Sequence, residues 1–526
     1  MKMIGSGYGI CALAGVLAGF VLVAFCPALG AGPKGTVIQF VVPKQINLQS
    51  DPTYYCWVPE SVGTIRCIIV HQHGCSREER DPFKMPEDVQ WKTLAKKWHA
   101  AFIAPKLVTG SDCGNWNNPA NGSENTFLAS LDTLARRTGH PEIKTVPWAL
   151  WGHSGGSMWS TGMLGKYPER IAVVVAQACG VDVSQVSAAL KVPVLHHNGK
   201  SDLCYNDAYF ANGRKKGALW AHAINPFVTW VYNPSNDALT MMGHAPKDLR
   251  MIAIDWIDIC LSMRLPEQAG SSQLRDMDTT NAWLGDTATR AIASAATYTG
   301  NKLIACWFPN QYFAQRWQEY MATSSIKDST PPPAPYNLAG AFVAKRITLK
   351  WDCDADLETG IKTFIIYRNG NAYDTLQYPN MPLSHFTLEK GFQRWNDGDE
   401  PIPSPAPDMT FTDSAVSDTG TYVYQVACVN WLAGTGAKSS PLTLKRGQIT
   451  PVLTTQSAAG PSHQTKFLCR NAGNGKLRLS PGIIDIYDLH GRLLKTVDVR
   501  SGGVMDVRQL LGANADNVLV VRNHVR

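Results

Sequence analysis

Between residues 35 and 325 short apolar runs recur along the chain, and several are apolar at every position rather than at alternate ones. The runs at 37–42, 66–70, 101–105, 146–151, 171–177, 192–196 and 227–232 are rich in β-branched residues and predict strands. Continuous apolarity, as in Ile171-Ala-Val-Val-Val-Ala176, is what a strand covered on both faces requires. Helical spacing separates them at 125–137, with Ser123 as N-cap, at 158–167 and at 246–264. This alternation predicts an α/β fold built on a doubly wound, mostly parallel sheet.

The pattern changes at Pro331-Pro-Pro-Ala-Pro335, a stiff spacer that predicts a domain boundary with few contacts across it. Beyond it Ile347, Leu349, Trp351 and Cys353 alternate, 364–370 reads as a strand ending in a turn, and Tyr422, Tyr424, Val426 and Cys428 alternate again. A β-sandwich follows from this, and two inward-facing alternations on opposed strands predict a Cys353–Cys428 disulfide. Over 332–445 these runs resemble a fibronectin type III domain, with Trp351 matching its core Trp and Tyr422 its corner Tyr; the stretch 378–409 is longer than that family usually has. A linker at 446–475 leads to a small β-rich segment, 476–526, with strands expected at 482–492, 493–499 and 517–522. Through Ile486-Tyr-Asp-Leu-His-Gly-Arg492 it resembles the C-terminal sorting domains of type IX secretion, which implies a secretion machinery as partner.

Composition narrows the classes. A chain of 526 residues needs two or three cores, and 44% apolar against 17% charged residues excludes a disordered one. The net charge of +7 is spread without a long Lys/Arg run, which speaks against a nucleic-acid partner. Met-Lys-Met, an apolar stretch at 10–25 and small residues after Pro27 predict an export signal, 1–31, cut after Ala31; the alternatives are a retained anchor and a lipoprotein cut before Cys26. Secretion or display at the cell surface follows, with no membrane contact after cleavage. Eleven cysteines lie beyond the signal, an odd number, and Cys75–Cys113 and Cys179–Cys204 are further pairs to test. No C-x-x-C spacing occurs to suggest a zinc site.

The chemistry centres on Gly152-His153-Ser154-Gly155-Gly156, a G-x-S-x-G between a predicted strand and a predicted helix. Small residues permit the sharp turn that projects the Ser154 hydroxyl, and the helix N-terminus behind it favours developing negative charge. An oxyanion hole is expected from the backbone N–H of Gly155 and one from the loop at Gly74–Cys75, after the strand at 66–70. Asp202 falls just past the strand at 192–196, where the acid belongs, and His244 falls in the loop between the strand at 227–232 and a helix, where the base belongs. His73 precedes the elbow, out of order for the base, and reads as a structural loop residue. Trp116, Trp159, Tyr205 and Trp230 are the aromatic residues expected to line a pocket if any do; core packing is the rival reading for each.

His73-Gly74-Cys75, Cys113-Gly-Asn-Trp-Asn117, Gly152-x-Ser154-x-Gly156-x-Met158, Tyr167-Pro-Glu-Arg170 and Trp307-Phe-Pro-Asn310 resemble the polyhydroxybutyrate depolymerase and feruloyl esterase branch of the α/β-hydrolases, over 35–325. The resemblance implies a catalytic domain there with the triad Ser154, Asp202 and His244, and with Cys75 at an oxyanion position. Two departures bear on substrate preference: His196-His197 crowd the approach to Asp202, and Gln72 splits the pair His71 and His73. The expected activity is a secreted serine carboxylic-ester hydrolase acting through an acyl-enzyme on polysaccharide-linked acyl groups or polyester, without cofactor or metal. The alternatives are an acyltransferase of the same fold and an inactive hydrolase-like adhesion or binding protein.

Overall fold

The computed structural model describes residues 32–376 and 409–445, with breaks at 46, 61, 76–87, 108–114, 202–205, 234–237, 243–245, 344, 418–419, 431 and 433, and strand backbone in six segments between 470 and 524. Its largest sheet has nine strands: β1 (Gly35–Val41), β2 (Thr53–Pro59), β3 (Cys67–Gln72), β4 (Ala100–Lys106), β5 (Trp148–His153), β6 (Ile171–Gln177), β7 (Val194–Ser201), β8 (Trp220–Asn233) and β9 (Ala238–Met242). The spatial order is β1-β2-β4-β3-β5-β6-β7-β8-β9. Strands β3 to β8 run parallel, while β1, β2 and β9 are antiparallel to their neighbours. This is the strand order of the α/β-hydrolase fold. Every residue of β6 is buried, as its continuous apolar run requires.

The helices are α1 (Val89–Lys97), α2 (Ser123–Thr138), α3 (Gly155–Lys166), α4 (Asn206–Lys215), α5 (Pro246–Arg264) and α6 (Gln311–Thr323). The departures from the sequence reading are local, and they include β9, which lies where a loop was expected, and helices α1 and α4, which were not expected. Strand β2, Thr-Tyr-Tyr-Cys-Trp-Val-Pro, was not among the expected runs, because its mixture of aromatic and polar residues obscures any period. The run at 227–232 is the distal part of the longer β8. Ser123 is the first residue of α2 rather than its cap; Gly122, at φ 112°, holds the cap position, and the Ser123 hydroxyl donates instead to the Trp116 carbonyl at 2.7 Å.

A small antiparallel sheet of β10 (Trp283–Gly285), β11 (Ile292–Ser294) and β12 (Cys306–Phe308) precedes α6. After the spacer come β13 (Tyr336–Val343), β14 (Arg346–Asp352), β15 (Thr363–Arg368), β16 (Asn371–Thr375), β17 (Thr410–Asp413), β18 (Thr421–Val429), β19 (Thr435–Lys438) and β20 (Leu442–Lys445). They form two antiparallel sheets, β13-β14-β17 and β16-β15-β18-β19, with β20 also paired to β18. Trp351 lies in the core between them, its ring edge-on to Phe364 at 5.3 Å, and the Tyr422 hydroxyl accepts the Ser417 N–H at 2.7 Å. Cys353 and Cys428 are both buried there, but as free thiols: the expected disulfide is not formed.

Further on, β21 (Arg470–Asn471), β22 (Lys476–Leu479), β23 (Gly482–Asp488), β24 (Leu493–Val499), β25 (Gly503–Asp506) and β26 (Val518–His524) form the sheets β21-β22-β25 and β24-β23-β26. Strands β23, β24 and β26 lie where the sequence predicted strands.

The spacer does not keep the sandwich apart, which corrects the expectation of few contacts. Val89 packs into the sandwich core, whereas Trp91 and Leu94, on the same α1, pack into the hydrolase core. The Ala355 N–H donates to Thr93 Oγ1 (2.8 Å), Gln90 Nε2 donates to the Leu357 carbonyl (3.2 Å), and Lys96 pairs with Asp354 (2.7 Å). Deeper in the seam Arg316 of α6 bridges Asp255 (3.4 Å) and Glu358, all three side chains under a tenth exposed. Stiffness fixes the path of a short spacer and says nothing about what the chain meets at its end.

Candidate active site

The chain leaves β5 at His153 and turns into α3 through Ser154, which sits at φ 53° and ψ −118°. A non-glycine residue at positive φ is strained, and it persists only where its surroundings over-determine it. They do so here through backbone contacts. A Cβ on Gly152 would lie 2.2 Å from the Gly156 carbonyl oxygen, and one on Gly156 would lie 2.4 Å from the carbonyl oxygens of both Gln72 and His73. Neither obstacle is a side chain that could move aside. The Ser154 N–H donates to the Gln177 carbonyl of β6 (2.9 Å), and its own carbonyl accepts from Ser157 N (3.0 Å) and Met158 N (3.1 Å), which opens the helix. Ser154 is left half-buried with its neighbours Gly155, Gly156 and Ser157 fully buried.

The contact of Gly156 with Gln72 and His73 sets the loop after β3 directly against the first turn of α3. Gly74 and Cys75 continue that loop. Cys75 and Cys179 are both disulfide-bonded. Cys113 and Cys204, their expected partners, lie outside the described residues. His73 is a structural member of the loop: its Nε2 accepts the Leu107 N–H at 3.0 Å, which leaves the proton on Nδ1 to be donated to the Gly74 carbonyl. With both nitrogens held, the ring braces the loop and is not presented to a serine hydroxyl.

Asp202, Tyr205 and His244 lie outside the described residues, and of Trp230 only the backbone in β8 is described. The described elements that flank them are β7, which ends at Ser201, and β9 and α5, which end at Met242 and begin at Pro246. Trp116 and Trp159 are core residues, each 1% exposed. Trp116 tilts against the His73 ring at 5.0 Å and Trp159 meets Phe127 edge-on at 5.3 Å, so both support the elbow and loop from within and present no open face to a substrate.

Sequence reasoning did not find the polar layer beneath the carboxyl edge of the sheet. His197 and Asn225 converge on the Tyr320 hydroxyl, at 2.7 and 3.1 Å. The Asn225 amide donates to that oxygen, and the same hydroxyl shares a second hydrogen bond with His197 Nε2. His222 Nε2 donates to Asn198 Oδ1 at 3.2 Å. Burial, and secondarily the neighbouring His222, pushes His196 and His197 down to about 3. Both are neutral at physiological pH, and this pair, which the sequence placed at the approach to Asp202, is packing and hydrogen bonding under β7 rather than a second titrating centre. The only sequence signal was polar residues in a run otherwise built like a core strand.

Fold and elbow together define the class: an α/β-hydrolase fold with a serine at the nucleophile-elbow position. No family model and no curated protein matches the chain. Among solved structures it is similar to a thermostable esterase (16% identity, TM-score 0.29, 36% of this chain and 54% of that one). It is also similar to an S-formylglutathione hydrolase of Staphylococcus aureus (13%, TM-score 0.29, 37% and 90%) and to a ferulic acid esterase (13%, TM-score 0.30, 37% and 90%). The chain thus spans about half the length of the first and nine-tenths of the other two.

Proposed function

We propose that the protein is a serine carboxylic-ester hydrolase that works through an acyl-enzyme, with Ser154 as nucleophile, His244 as general base and Asp202 as the acid that orients it. The observation that carries the reading is the strained Ser154 backbone, wedged between β5 and α3 by glycines whose Cβ positions are already filled by backbone. His244 takes the Ser154 proton, the alkoxide attacks the ester carbonyl, and the oxyanion is held by the N–H groups of Gly155 and Cys75. The alcohol leaves with the proton from His244, and water then cleaves the acyl-enzyme through a second oxyanion. Each step is a proton or acyl transfer that these groups can complete themselves.

The substrates proposed are polysaccharide-linked acyl esters or polyester, with Tyr205 and Trp230 as the pocket aromatics and Trp116 and Trp159 as their buried support. Export through the N-terminal segment, and passage through a secretion machinery by way of the C-terminal segment, complete the reading. Turnover of an aryl acetate, an acetylated xylan, a feruloylated arabinoxylan and a polyhydroxyalkanoate film, each by wild type and Ser154→Ala, tests it. Ser154-dependent release of acid from at least one is expected; turnover that survives Ser154→Ala would refute it.

A further inference from the structure

A second strained turn stands beside the elbow. Ala178 directly follows β6, is buried, and sits at φ 70°, a left-handed conformation that strains any residue with a Cβ. Both of its backbone polar groups are held by β7: its N–H donates to the His197 carbonyl at 2.8 Å, and its carbonyl accepts from Asn198 Nδ2 at 3.3 Å. The residues on either side of it hold the elbow. The Gln177 carbonyl accepts the Ser154 N–H at 2.9 Å, and the Cys179 carbonyl accepts the Ser157 hydroxyl at the start of α3.

Asn198 is 5% exposed and uses both ends of its amide, Nδ2 on Ala178 and Oδ1 on His222 Nε2 of β8 at 3.2 Å. His222 is fixed in turn, since its carbonyl accepts Trp317 Nε1 of α6 at 2.6 Å. One side chain thus ties β8 and β7 to the turn at 177–179, and it lies four residues before Asp202 in the chain.

We propose that Asn198 is a positioning residue for ester hydrolysis: by holding the Ala178 carbonyl it keeps the turn at 177–179 in its left-handed form, and so fixes Ser154 against the strand that leads to Asp202. The inference rests on the reading of Ser154, Asp202 and His244 as the triad. Without the Asn198 donor the buried Ala178 carbonyl loses a partner, and the strain at Ala178 favours relaxation out of the left-handed region. Either change moves the Gln177 carbonyl that holds the Ser154 N–H. A misplacement of about 1 Å at a reacting atom can lower the rate on the order of 10²-fold, while substrate binding elsewhere in the pocket is untouched. A route through Ala178 has its own signature: Ala178→Gly removes the Cβ strain, so the turn depends less on the clamp.

The test uses the full chain with an aryl acetate and a fluorophosphonate, in wild type, Ser154→Ala, Asn198→Leu, Asn198→Ala and the double variant Asn198→Leu with Ala178→Gly, each checked for folding by circular dichroism. Leu fills the space and Ala leaves it open, so the lost donor is what the two single variants share. The expected result is a kcat lower by about 10- to 100-fold in both, with KM little changed and labelling of Ser154 slowed in parallel, and partial recovery of kcat in the double variant. If Asn198→Leu does not fold, Asn198→Ala, alone and with Ala178→Gly, carries the same comparison. Folded single variants with wild-type kcat, or a loss confined to KM, would overturn the inference, and a double variant no faster than its single parent would overturn the route through Ala178. Wild-type turnover that does not depend on Ser154 would overturn the triad reading and the inference with it, whereas unchanged kcat in Asn198 variants of a Ser154-dependent enzyme would overturn the inference alone.

Discussion

At the Ser154 elbow the constraint is backbone against backbone: the Gln72, His73 and Gly156 carbonyls fill the positions that side chains on Gly152 and Gly156 would need. At the seam between hydrolase and sandwich the constraint is charge: Arg316 stands between Asp255 and Glu358, while Asp328 and Asp356 share the Asn430 amide, at 2.6 and 3.1 Å. Both places are buried, yet they respond to different perturbations. An elbow held by peptide groups has nothing to titrate, so its geometry persists wherever the fold does. A seam held by carboxylates around one guanidinium depends on how many protons it holds, and it is costly to leave half-made. The backbone geometry of the elbow is thus separated from the titrating seam, and the two can be broken independently.

The largest effect belongs to the elbow. Ser154→Ala and His244→Ala should each lower kcat/KM on an aryl acetate by on the order of 10⁴-fold or more, because nucleophile and base act as one unit. Asp202→Asn should cost less, since His244 keeps part of its function. His73→Ala should fall short of all three, because it loosens a loop without removing a proton acceptor. Loss of turnover in a folded His73→Ala with His244→Ala still active would reverse the assignment of the base.

Truncation after Thr330 sharpens the other side. It keeps every proposed triad residue but strips Glu358 from Arg316 and uncovers Val89. Breaking a buried ion network by removing one partner costs about 3–5 kcal/mol, so the truncated chain should unfold at markedly lower denaturant while retaining turnover per folded molecule. An unchanged midpoint would show that the seam contributes little.

The smallest effect is the pH dependence of the seam. Burial, and then repulsion from Asp356 and Glu358, raises Asp328 to about 7, whereas hydrogen bonds from Ser329 and Tyr312 hold Glu358 down at about 2. The raised Asp328 contributes stability that is present at acid pH and is lost as pH rises through about 7. The depressed Glu358 contributes stability that is present above its unfolded value and is lost as pH falls toward about 2. Melting measured from pH 4 to 8.5 should therefore decline up to about pH 7 and level off above it in wild type, and lose that decline in Asp328→Asn, which mimics the protonated acid. A variant with the wild-type slope would remove Asp328 from the explanation.

The same contrast explains what could be read from the sequence. The elbow is five consecutive residues, so its turn, its strand and its helix were all legible, and Gly152, Ser154 and Gly156 named the geometry directly. Continuous apolar runs gave β5 and β6 for the same local reason. The seam joins Gln90 to Leu357 and Arg316 to Glu358, residues whose partners carry no mark of each other, and the prolines at 331–335 pointed the wrong way. The His197–Tyr320–Asn225 layer was hidden likewise, because its members come from β7, α6 and β8. Cys353 and Cys428 were placed together by strand alternation, but alternation speaks of proximity and not of redox state.

The most direct measurement is active-site labelling. The full chain is treated with a fluorophosphonate at neutral pH, digested, and the adduct located by mass. The account predicts a single stoichiometric adduct on Ser154, absent after denaturation and absent in His244→Ala within the same reaction time. An adduct on another serine, or none on a folded protein, would contradict it.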